Sequence, residues 1–115
     1  ENYFRKFEEK TTLKKLKSSS TVISLGGGAF LNKEIRKEVI NNHLSFWLNW
    51  NSDILLNRIQ NSKKRPLAFN SSENEIIDLI KKRSNIYSKA LYKIECDNLT
   101  KNEIVKEILK IYETH

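Results

Sequence analysis

The chain has 115 residues, room for one small domain. Apolar residues make up 38% and charged residues 30%, a balance that suits a folded protein rather than a disordered one. With no apolar stretch long enough to span a bilayer and no signal-like start, a cytoplasmic protein without membrane contact is expected. The net charge of +7 favours anionic partners. The lysines are spread along helical faces, however, and lack the interleaved aromatics of a stacking platform, so nucleic acid is not expected to be the partner.

In chain order, Glu1 to Lys17 reads as an amphipathic helix with Phe4, Phe7, Leu13 and Leu16 at helical spacing. Ser18 to Ser20 breaks it. Thr21 to Leu25, β-branched and apolar, reads as a strand buried on both faces. All three glycines of the chain follow in a row, Gly26 to Gly28. They open positive φ to the backbone and leave no Cβ in the way, which suits either a close-approaching ligand or a tight turn into a helix. Asn32 to Asn42 resumes a helical pattern through Ile35, Val39 and Ile40, and Leu44 to Trp50 reads as a second strand. Asn51 to Gln60 begins with cap-type residues and gives a short helix carrying Ile54, Leu55 and Ile59.

Asn61 to Ser71 has no periodicity, contains the only proline, Pro66, and reads as an exposed loop. Ser72 and Glu75 form a capping box for a helix running to about Ala90. Leu91 to Cys96 is a third strand, and Thr100 and Glu103 form a second capping box for a final helix carrying Ile104, Val105, Ile108, Leu109 and Tyr112. Strands alternating with helices predict an α/β fold with a parallel sheet. Three strands are few for such a sheet, so the architecture reads as incomplete.

Candidate chemistry rests on arginines near element ends and loops: Arg5, Arg58, Arg65 and Arg83. Arginine offers a planar fork matched to carboxylate and phosphate and stays charged at any working pH. Arg5 and Glu8 are i, i+3 neighbours, so Glu8 is placed to hold the guanidinium; an ordinary surface ion pair has the same spacing. Arg83 and Tyr87 share a helix face, which by spacing alone reads as a solvated edge. Arg65, beside Pro66 in the loop, is placed to swing over a ligand. His43 and His115 have no partner at metal or triad spacing and read as bystanders, and Cys96 reads as a buried, inert thiol.

Set in order, "ENYFRKFEE", "SLGGGA", "NRIQNSKKRPL" and "KKRSNIYSKALY" resemble the shikimate kinase family, P-loop kinases that move the γ-phosphoryl of ATP to the 3-hydroxyl of shikimate in aromatic amino-acid (chorismate) biosynthesis. The resemblance runs essentially from Glu1 to the end of the chain. It implies that Arg5 and Arg83 bind the shikimate carboxylate and that Gly26, Gly27 and Gly28 bring the main chain against the substrate ring and hydroxyls. It further implies that Arg58 packs on the adenine and that Arg65, in the "RPL" of a lid at about 61–72, reaches the transferring phosphate. Shikimate and ATP are then the partners and Mg²⁺ the metal, with a monomer expected for the full-length protein.

No G-x-x-x-x-G-K-[ST] occurs in the chain, so the cradle for the β- and γ-phosphates and the hydroxyl for Mg²⁺ are not supplied by these residues. The resemblance therefore implies that residues 1–115 are the C-terminal part of one P-loop kinase-like, three-layer α/β domain. On that reading the first strands lie outside these residues, ATP and Mg²⁺ are both expected to need that missing region, and the piece alone is expected to be inactive. Two alternatives stand beside this reading: another small-molecule P-loop kinase, such as a gluconate kinase, and a non-catalytic kinase-like binding module.

Overall fold

The computed structural model describes residues 2–18, 21–61 and 72–115. They divide into two compact units, Glu1–Ser45 and Phe46–His115. In the first, helix α1 (Asn2–Ser18) packs on helix α2 (Lys33–Asn42) and on a single 3₁₀ turn, Ala29–Leu31. Asn32 starts α2 by accepting from the Ile35 amide at 3.0 Å, satisfying one of the orphan donors of the first turn. Its amide nitrogen donates to Glu9 on α1 at 2.9 Å, so one residue both caps α2 and ties it to α1. Leu16, Ala29, Phe30, Ile35 and Val39 are buried.

The apolar stripe expected of α1 is only partly used: Leu16 is buried and Leu13 half-buried, whereas Phe4 and Phe7 are exposed. Thr21 to Leu25 does not form the expected strand. A strand needs a ladder partner for its amides and carbonyls. The described residues pair only two strands, neither of them here, and Val22 is 98% exposed. Among the described residues the sheet therefore has two strands where the sequence suggested three.

In the second unit, β1 (Phe46–Asn49) and β2 (Tyr92–Glu95) pair in parallel, with Phe46 opposite Tyr92 and Asn49 opposite Glu95. Parallel strands need a long crossover, here supplied by α3 (Ser52–Gln60) and α4 (Glu73–Tyr87). These two helices bury Leu56, Ile76 and Ile80 between them. Helix α4 ends three residues short of Ala90. Helix α5 (Lys101–Thr114) lays Ile104 on Ile94 and Cys96, with Ile108 and Ile111 beside them. Its other apolar residues, Val105, Leu109 and Tyr112, are exposed. Both capping boxes form as read, at Ser72–Glu75 and Thr100–Glu103. No helix among the described residues is long and apolar enough to cross a membrane.

Candidate functional site

In the first unit, Arg5 sits on α1 one turn before Glu8, and its Nη1 donates to Glu8 Oε1 at 2.9 Å. The pair expected from spacing is formed. The glycine run makes a turn: the Ala29 amide donates to the Gly26 carbonyl at 3.0 Å and the Leu31 amide to the Gly28 carbonyl at 3.2 Å. Arg36 pins this turn from α2, its guanidinium donating to the Phe30 and Leu31 carbonyls, both at 3.1 Å.

No described glycine has positive φ; Gly28 takes an ordinary helical φ of −87°. The conformational freedom that three glycines offer is therefore not what the turn uses. It uses the missing side chain. A Cβ on Gly28 would lie 2.7 Å from Arg5 Nη1, closer than real Cβ contacts come, and 3.4 Å from its Cζ. The Arg5 guanidinium thus occupies the space of an absent side chain. Around Gly26 a Cβ would meet nothing within 4 Å, leaving its backbone open to approach. Gly27 lies between the two in the same turn.

In the second unit, Arg83 and Tyr87 are both half-buried rather than forming a solvated edge. Tyr87 meets the Trp47 ring at a centroid distance of 6.2 Å and a 55° tilt, and that packing takes this face of α4 out of water. Arg83 Nε is buried and has no hydrogen-bond partner among the described residues. A buried donor left unpaired costs about 1–3 kcal/mol, so this atom calls for an acceptor. An open groove of about 520 Å³ runs beside β1, between Trp47, Asn49 and Trp50 on one side and Ile80, Lys81 and Ser84 on the other.

Arg58 projects from α3 with its guanidinium carbon 4.8 Å from the centre of the Trp50 ring. Trp50 directly follows β1, and next to it Asn51 joins the ends of the two strands. Its amide donates to Asp97 Oδ1 at 2.8 Å and its side chain to Oδ2 at 3.2 Å, while its own Oδ1 accepts from Ile54 N and caps α3. Sequence reasoning recognised the cap but neither the Asn51–Asp97 clip nor the Trp50 platform. Both join residues of different elements, and only the strand pairing makes them neighbours. Arg65, with the lid expected at about 61–72, falls at residues 62–71, outside the described residues.

His43 Nε2 lies 3.1 Å from Glu38 Oε2, a pair that metal and triad spacings do not anticipate, and His115 Nδ1 lies 3.0 Å from the Tyr92 hydroxyl. Cys96 is buried and unbridged, as expected, and burial pushes its thiol above the usual range. Among the described residues no three His, Cys, Asp or Glu side chains cluster as a metal site.

The parallel strand pair and its helical crossover make this a mixed α/β protein. A family model described as shikimate kinase matches residues 1–113, and the chain belongs to the shikimate kinase family. It is 32% identical over 111 residues to the shikimate kinase of Bartonella quintana, covering 96% of this chain and 53% of that protein. Against the shikimate kinase of Rhizobium meliloti it is 29% identical over 116 residues, covering 100% and 60%. A crystal structure of shikimate kinase from Bacteroides thetaiotaomicron is similar with a TM-score of 0.74 and 26% identity, covering 96% of this chain and 66% of that one. The chain spans 53–60% of the length of the curated relatives named here. At the level of family, the match separates this chain from the gluconate kinase alternative.

Proposed function

We propose that the protein carrying this chain is a cytoplasmic shikimate kinase that uses ATP and Mg²⁺ to phosphorylate the shikimate 3-hydroxyl, and that residues 1–115 belong to one kinase domain. The observation that carries the reading is the Arg5 guanidinium, fixed by Glu8 and seated against Gly28. A small polyhydroxylated acid needs a cation for its carboxylate and a close main-chain wall for its hydroxyls. Arg5 supplies the first, as a planar fork whose direction Glu8 sets. Gly26 to Gly28 supply the second, the turn being held in shape by Arg36.

Arg83 is the second carboxylate ligand in this reading. Its buried, unpaired Nε supports the assignment, because an anionic acceptor would satisfy it. Arg58 packs on the adenine, and Arg65 stabilises charge on the transferring phosphoryl group. Phosphoryl transfer depends mainly on positioning and charge stabilisation, so arginines in these four roles would supply much of what the reaction asks of these residues.

The test is a comparison of Arg5→Ala and Arg83→Ala in the complete gene product. Charged hydrogen bonds contribute about 1.5–3 kcal/mol each, so each variant is expected to raise the KM for shikimate at least tenfold and the KM for ATP less than twofold. Equal effects on both substrates would remove that arginine from the carboxylate site.

A further inference from the structure

We propose that Trp50 is a positioning residue for the nucleotide base, acting through Arg58; this rests on the reading of Arg58 as the arginine that packs on the adenine. An arginine on the exposed face of a short helix has many rotamers open to it, and an adenine can stack only on a guanidinium held flat and in place. The Trp50 ring provides that hold. Its centre lies 4.8 Å from the Arg58 guanidinium carbon, within the range of a cation–π contact.

The ring itself is anchored. Trp50 is half-buried and packs on the cluster of Ile94, Cys96 and Ile104 under α5. The residue after it, Asn51, is fastened to Asp97 through its main chain and its side chain, and the same Asn51 caps α3, the helix that carries Arg58. The platform and the base of the arginine are thus fixed to the same strand end. That end is the carboxyl end of the parallel pair, the side on which open α/β sheets take their ligands. Arg58 stays exposed beside the indole at this strand end, so a planar purine stacking on its guanidinium would complete an indole–guanidinium–purine stack. Because the contact acts on the base and not the phosphates, it should tune nucleotide affinity without touching the acid substrate.

The experiment measures ADP and inorganic triphosphate binding by calorimetry, with the KM for shikimate, in the complete gene product. The variants are Trp50→Leu, Trp50→Phe, Arg58→Ala, Arg58→Lys and the Trp50→Leu/Arg58→Ala double variant. An exposed cation–π contact corresponds to a change of about two- to fivefold. Trp50→Leu is expected to weaken ADP by that factor, Trp50→Phe by less, and neither should alter triphosphate binding or the KM for shikimate. In the Arg58→Ala background Trp50→Leu should add nothing.

A full effect of Trp50→Leu in that background, equal weakening of ADP and triphosphate, or unchanged ADP binding in Trp50→Leu would each overturn the proposal. If Trp50→Leu does not fold, Arg58→Lys decides: it keeps the charge but loses the flat fork, and unchanged ADP affinity would refute the stack. Arg58→Ala separates the two layers of the argument. Unchanged ADP affinity there removes Arg58 from the base altogether, whereas weakened ADP with an inert Trp50 removes only Trp50.

Discussion

Arg5 and Gly28 lie far apart in the chain, yet each explains the other. The side chain missing at Gly28 is the space the Arg5 guanidinium fills, and Glu8 holds it there. Half of this was legible: i, i+3 spacing on a helix is a local rule, so the Arg5–Glu8 pair could be read directly. The other half depends on α1 and α2 packing together through Glu9 and Asn32, which no local rule supplies. The same geometry gives a prediction. In Gly28→Ala the new methyl must push away the end of a flexible arginine, and φ at −87° suits alanine. Thermal stability should therefore change little, while the KM for shikimate rises several-fold. A large loss of stability with unchanged KM would show that the glycine serves the fold and not the arginine.

At the scale of elements, the capping residues were the most readable part of the chain. Ser72–Glu75 and Thr100–Glu103 state helix starts in four residues each, and both boxes close. Strands were less readable, because a strand is defined by a partner elsewhere. Thr21 to Leu25 has the composition of a strand but no ladder partner among the described residues, whereas Phe46–Asn49 finds Tyr92–Glu95. The first box also has a pH signature. Hydrogen bonding to the Ser72 amide, and then to its side chain, holds the Glu75 carboxyl below its usual range. A carboxyl lowered in the folded state contributes stability above its unfolded pKa and loses it as pH falls through the folded value. Acidification through the carboxylate range should therefore weaken α4 at its start, and Glu75→Gln should flatten that part of the dependence. Denaturant melts at several acidic pH values measure this; an unchanged slope in Glu75→Gln would contradict it.

For the whole molecule, the two units carry different parts of the proposed chemistry: Arg5 and the glycine turn in Glu1–Ser45, Arg58 and Arg83 in Phe46–His115. The family was legible because four short motifs stand in order along the chain, and order carries information that no single motif has. Trp50 and the Asn51–Asp97 clip were not legible, since the strand pairing alone brings them beside Arg58 and each other. The chain holds no phosphate-binding loop motif, so these 115 residues by themselves should show no turnover. The measurement that tests the account most directly is ³¹P NMR of the complete gene product incubated with ATP, Mg²⁺ and shikimate, with gluconate as the competing acceptor. A single new phosphate ester is expected, on the shikimate 3-hydroxyl, with no phosphorylated gluconate. A phosphorylated gluconate, an ester at another shikimate hydroxyl, or no acceptor-dependent product would contradict it.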